Sequence, residues 1–218
     1  MPPQNSNMTN IHASEQIEII KSSAQTICRF FWGSDPKSCQ EMLTGSLLAP
    51  LRKYGKSSTD KVAEKIDNLI TGLKSYKSAK MLNDDLETDY VHFFINDREG
   101  IRTPLYHSCY GVDHHSREGQ LMGKPEREMR ERFSEVGLAM ANSVNEPADH
   151  ISLELEYLFF LLDRGLQMED PDLISEAALF SRDFMLPWIK EMSVRFKDEE
   201  QATFYPQLVT TLKLNTGG

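Results

Sequence analysis

"NEPADHISLELEYLFFLL", residues 145–162, sets a knot of ionisable side chains against a nearly unbroken apolar run. Glu146, Asp149, His150 and Glu154 form the knot. Behind them Ile151, Leu155, Leu158, Phe159 and Leu162 fall on one helical stripe, while Leu153, Phe160 and Leu161 spread apolarity round the rest of the helix. A helix apolar on most sides belongs at the centre of a bundle. Pro147 suits a first helical position, because its missing N–H would have had no partner there. The spacing therefore predicts a helix over 147–163, capped by Asn145 or Glu146 and ended by Arg164 and Gly165. Asp149 is then expected at the third position, accepting from free N–H groups at the positive helix end. His150 and Glu154, four apart, share a face and are expected to hydrogen-bond.

Outward from this helix the pattern stays helical. Residues 1–13 read as a disordered tail, and 14–218 as one all-helical domain. Ser14 is the expected cap of a helix carrying Ile17, Ile20, Ala24, Ile27 and Phe31. "GSDP" (33–36) breaks it and starts another helix that ends near Pro50. Thr59 is the expected cap for a helix with Val62, Ile66, Leu69, Ile70 and Leu73. Further helices are expected over 86–95, over 123–144 with Pro125 in the first turn, from Asp170-Pro171 onward, and over 204–214. No β-branched alternation is sustained, and no repeat period is visible. The fold class is therefore all-α, a single-domain helical bundle. One long irregular loop interrupts it near residues 96–123, with four glycines and a proline. Tyr106 and Tyr110 are expected to pack part of that loop down, and Gly111–Gly119 to be mobile.

Composition narrows the function. The chain has 218 residues and a net charge of −9, so nucleic acid is not expected as a partner. A cationic ligand or peptide suits such a surface. The N-terminus carries no basic and apolar leader pattern, and the longest apolar run, Tyr157–Leu162, is far too short to cross a membrane. A cytoplasmic location and no stable membrane insertion are expected. Cys28, Cys39 and Cys109 form no CxxC and are expected as reduced thiols.

The knot itself admits two accounts. Asp149 as a helix-start carboxylate and His150 as a partnered core histidine would be purely structural. Yet burying four ionisable groups costs stability unless they are paired, and functional sites are where such costs are tolerated. Catalysis is one alternative, in the form of a metal-dependent helical phosphohydrolase using "DHH" (113–115) or Asp149-His150. The remaining histidines, 12, 92 and 107, supply no convincing ligand set. No catalytic residue, metal or cofactor is expected on these grounds. An assembly subunit without an export client is the other alternative.

The run Glu146-Pro147-x-Asp149-His150-Ile151-x-Leu153-Glu154 resembles the signature of the TorD/DmsD family of redox-enzyme maturation chaperones. Other stretches agree in the same order. "CRFFWGSDP" (28–36) fits the family's N-terminal helix end. "LETDYVHFF" (86–94) is similar to its Leu-x-x-Glu-Tyr-x-x-Leu-Phe segment, with Asp89 and Phe93 as substitutions. "TPLYHSCY" (103–110) resembles its Pro-x-Tyr-x-Ser-x-Tyr loop, and "FSRDFMLPW" (180–188) and "FYPQLVTTL" (204–212) its C-terminal segments. Phe184 departs from the pattern, since many members have histidine there.

The resemblance implies an all-helical cytoplasmic chaperone, not an enzyme. Its expected partner is the precursor of a molybdopterin oxidoreductase, bound through the twin-arginine leader, the body or both until cofactor insertion permits export. Glu146 and Asp149 are the expected electrostatic contacts, and His150 a contact or the orienter of Asp149. Glu154 is expected to hold His150 in place, and Tyr106, Tyr110 and Trp188 to form groove walls. With no Walker-type glycine loop, no nucleotide site is expected. A monomer and a segment-swapped dimer are both compatible with the pattern.

Overall fold

The computed structural model describes residues 4–95, 101–110, 121–141, 144–196 and 204–215. Ten α-helices run through them: α1 Gln4–Phe31, α2 Pro36–Thr44, α3 Ala49–Ser57, α4 Asp60–Leu73, α5 Ala79–Tyr90, α6 Lys124–Glu135, α7 Ile151–Met168, α8 Pro171–Leu179, α9 Leu186–Val194 and α10 Phe204–Asn215. Among the described residues no strand forms, and the extended pairing is one antiparallel bridge between Tyr106 and His150. The chain is all-α, as the apolar spacing predicts.

α7 is the central helix. It packs most extensively against α1 and α8, and Ile151, Leu155, Leu158, Leu161 and Leu162 are all buried. α3 bridges α1 and α4, and α10 closes the bundle against α4 and α9. A cluster of edge-to-face rings, including Tyr90, Phe93, Phe94, Phe196 and Tyr205, fills the space between α5, α9 and α10. Such edge-to-face contacts suit the ring quadrupole.

α8 and α9 form one continuous rod joined by a π turn, Phe180–Met185. Pro187, in the first turn of α9, has no N–H for the preceding turn, and its ring crowds that turn's carbonyl. Widening the turn accommodates both effects. A second π turn, Val91–Ile95, extends α5, and the carbonyl of Phe93 there accepts from Thr103 N at 3.0 Å.

Several boundaries differ from the sequence reading. α1 begins at Gln4, so Ser14 lies inside a helix rather than capping it. The helix expected to run from "GSDP" to Pro50 is two helices. Gly45, at φ 82°, ends α2 in a left-handed conformation that favours glycine, and Pro50 sits in the first turn of α3. Thr59 precedes α4 as expected, but its side chain makes no capping bond. α6 stops at Glu135, and the chain turns at Gly137, φ 72°. α7 runs past Gly165 to Met168 and is ended by Glu169 at φ 53°. Gly165 serves packing instead: a Cβ there would lie 2.5 Å from Ile174 Cδ1. Asp170 does cap α8, accepting from Asp172 N and Leu173 N.

Of the irregular loop, residues 101–110 lie against the start of α7. His107 N donates to Asp149 O at 3.0 Å, and Ile151 N donates to Leu105 O at 2.9 Å. The segment expected to be mobile, Gly111–Gly119, lies outside the described residues, and so does "DHH". All three cysteines are free thiols, with Cys28 and Cys39 buried. Among the described residues no helix is long and apolar enough to cross a membrane.

Candidate functional site

The backbone pairing between 103–110 and 147–151 decides the geometry of the site. Because Leu105 and His107 take the main-chain groups of Ile151 and Asp149, helix geometry starts only at Ile151. Pro147 is therefore outside the helix, as acceptor of a turn from His150 N at 3.0 Å. The cap is His150 itself: its Nδ1 accepts from Ser152 N at 3.2 Å. The expectation of Asn145 or Glu146 as cap, and of Asp149 at the third helical position, is thus corrected. Asp149 is fully buried, and its Oδ2 accepts from Ser108 N at 2.8 Å. It fastens the loop to the helix start. Its Oδ1 has no partner among the described residues, a buried acceptor that costs stability.

Glu154 does not pair with the His150 side chain. It lies fully buried between two rings from elsewhere in the chain: His107 Nδ1 at 3.0 Å from Oε1, and Trp188 Nε1 donating to Oε2 at 2.9 Å. These rings are stacked on each other, centroids 5.3 Å apart and 18° between planes. One carboxyl group is thus clamped by two stacked rings. Burial pushes the Glu154 carboxyl above the usual carboxylate range, and the two ring donors oppose that shift. Phe184, where a histidine is usual in the resemblance, meets His107 edge-on at 4.7 Å.

Tyr106 is extended and His107 opens a short 3-10 turn, His107–Cys109, and the two side chains find different partners. His107 turns inward to Glu154. Tyr106 turns toward the surface, where its hydroxyl donates to Glu146 Oε2 at 2.7 Å. The Tyr106 ring meets the His150 ring edge-on at 5.4 Å. The other side of His150 stacks on Trp32, from the end of α1, with centroids 5.0 Å apart and 15° between planes. Trp32 Nε1 in turn donates to Glu156 Oε1 at 3.0 Å. The result is a ladder of three rings, Trp32, His150 and Tyr106, with a carboxylate at each end. Burial pulls the His150 imidazole down to about 4, despite the nearby carboxylates of Glu146 and Asp149. Its central ring is neutral at physiological pH. Protonation would also turn Nδ1 from an acceptor into a donor facing the Ser152 N–H.

Tyr110 and Trp188 are core residues, not walls of an open groove. Trp188 is 1% exposed. The Tyr110 hydroxyl donates to Pro104 O at 2.7 Å, and the Arg195 guanidinium lies 4.3 Å over its ring. Beside the ladder is an open apolar groove of about 370 Å³, between α6, residues 138–141 with Val144, and the outer face of α7. Leu138, Met140, Val144, Leu153 and Phe160 line it, with Glu156 at its rim. Among the described residues no three His, Cys, Asp or Glu side chains cluster closely enough to hold a metal ion.

The structure thus brings Glu146, His150 and Tyr106 together near the surface, with Asp149, Glu154, Tyr110 and Trp188 behind them. Sequence reasoning missed Trp32, His107 and Glu156. Each acts across a long separation, which no local spacing signals.

Residues 57–193, well over half of the chain, match the family described as nitrate reductase delta subunit. The chain is 28% identical over 165 residues to a chaperone protein TorD from Photobacterium profundum, covering 72% of this chain and 73% of that one. It is 27% identical to a chaperone protein TorD from Aliivibrio fischeri, covering 73% and 75%. In fold it is similar to a crystal structure described as a redox enzyme maturation protein from Archaeoglobus fulgidus, with a TM-score of 0.53 at 21% identity over 88% of this chain and 91% of that one. The chain belongs to the nitrate reductase delta subunit family, and with its TorD relatives to the redox-enzyme maturation chaperones, which are not enzymes.

Proposed function

We propose that this chaperone binds the precursor of a molybdopterin oxidoreductase in the cytoplasm through its twin-arginine leader. It holds the apoenzyme until the cofactor is inserted and delays export until then. The observation that carries this reading is the surface ladder Trp32–His150–Tyr106 with its flanking carboxylates, set beside an apolar groove. A leader with a cationic start and an apolar continuation matches that surface in both charge and polarity. Glu146 and Tyr106 are the contacts, and His150, 3% exposed and packed between Trp32 and Tyr106, positions them. Asp149 is too deeply buried to meet a leader arginine while Ser108 is bonded to it, so it acts by positioning the 103–110 segment. Glu154, Trp188 and Tyr110 support the ladder from the core in the same way.

Titrating a fluorescent twin-arginine leader peptide against wild type and Glu146→Gln tests this. Loss of one charge-assisted hydrogen bond is worth about 1–3 kcal/mol, so the variant should bind more weakly by that amount. Wild-type binding should fall with added salt, and less steeply in the variant. A folded variant that binds as tightly as wild type at every salt concentration would refute the assignment.

A further inference from the structure

The ladder carries one carboxylate at each end, and this asymmetry relative to the groove has a consequence for how a peptide lies. Glu156 holds Trp32 at one end and forms part of the rim of the apolar groove. Glu146 holds Tyr106 at the other end and does not line it. Among the described residues no cation pairs with either carboxylate. Glu156 is exposed, and Trp32 remains 40% exposed although one face is stacked on His150. An indole fixed by its own N–H and flanked by a carboxylate is a strong platform for a guanidinium.

Resting on the leader-binding reading above, we infer that the two ends of the ladder read two different arginines of the peptide. The arginine nearer the apolar stretch sits on Trp32 and Glu156, the other meets Glu146, and the apolar stretch enters the groove along α7. The occupant is therefore a peptide of two cationic side chains followed by an apolar run, bound in one direction. Another apolar cavity, of about 240 Å³ between α1, α7 and α8, has no carboxylate in its lining, and its one charged lining residue, Arg182, is paired with Asp183. The groove beside Glu156 has the complementary charge.

Double-mutant cycles between protein and peptide test the direction. The probes are a synthetic peptide with two adjacent arginines before an apolar run, and two versions with either arginine changed to glutamine. Glu156→Gln should weaken binding of the parent peptide about tenfold, and add no loss when the arginine next to the apolar run is already glutamine. Glu146→Gln should show the same coupling to the other arginine. Ala139→Trp, at an exposed groove position, should weaken all three peptides while leaving the Glu146 coupling intact. Equal coupling of each carboxylate to both arginines would overturn the inference, as would unaltered binding to Ala139→Trp. Both outcomes leave the leader-binding reading standing. If wild type binds none of the peptides, that reading fails and the inference fails with it.

Discussion

His150 should make the protein acid-sensitive in a defined window. Its ring is buried between Trp32 and Tyr106, which favours the neutral form, and it caps α7 by accepting from Ser152 N, which requires it. Its affinity for protons falls from 6.5 to about 4 on folding. Below 6.5 the unfolded chain takes up a proton that the folded chain refuses. The stability contributed by neutral His150 is therefore complete above 6.5 and lost as pH falls through about 4. At about 1.4 kcal/mol per pH unit, that lowering amounts to about 3 kcal/mol. His150→Asn keeps a cap, because an asparagine oxygen accepts from the same N–H, and it removes the titration. It also loses both ring contacts and some packing, about 1–3 kcal/mol at neutral pH. Urea unfolding followed by circular dichroism at a series of pH values gives both curves. The variant should be the less stable protein near neutrality, and the gap should close or reverse as the pH is lowered toward 4. Curves that stay parallel across this window would refute the assignment of a buried neutral cap.

Glu154→Gln should act in the opposite sense. The folded state holds the Glu154 proton at pH values where the unfolded chain has lost it, so this contribution is present below 4.5 and declines as pH rises through the elevated folded value. The difference in urea stability between variant and wild type should accordingly shift in favour of the variant as pH rises, and a difference independent of pH would count against a buried carboxyl there. Trp188→Phe removes one of the two donors to that carboxyl and part of a buried ring, so it should destabilise by about 2–4 kcal/mol in the same assay. A change near zero would mean that Trp188 and Glu154 are not bonded. Gly165→Ala forces a methyl against Ile174, at a strain of about 1–3 kcal/mol, partly offset by about 1 kcal/mol of helix propensity. The thermal midpoint should fall and be partly restored by adding Ile174→Val, which deletes the closest atom; an unshifted midpoint in Gly165→Ala would contradict the close packing of α7 on α8.

The parts of the fold that were legible in the sequence are those set by neighbours along the chain. The Asp170-Pro171 start of α8 is local chemistry, and it reads correctly. So does the apolar circumference of α7, because periodicity alone encodes it. The start of α7 failed for the opposite reason. Pro147 and Asp149 have the composition of a helix start, but residues 105 and 107 claim the backbone groups that a helix begun there would need. No local pattern announces that competition. The partner of Glu154 failed likewise: His150 is the right distance away along a helix, but His107 and Trp188 arrive from the loop and from α9. Trp32 stacks on a ring more than a hundred residues further along the chain, and no spacing rule reaches that far. The clustering of the acidic knot was legible; which of its members face solvent was not, since burial at Asp149 and Glu154 depends on what the loop covers.

The most direct test of the account is the affinity of the purified chain for a molybdoenzyme leader carrying two arginines, compared with the same leader carrying two glutamines in their place. If the carboxylates at the ends of the ring ladder read the leader's charge, the arginine form should bind at least about tenfold more tightly at low salt, with the advantage shrinking as salt is added. Equal affinity for the two leaders would contradict it.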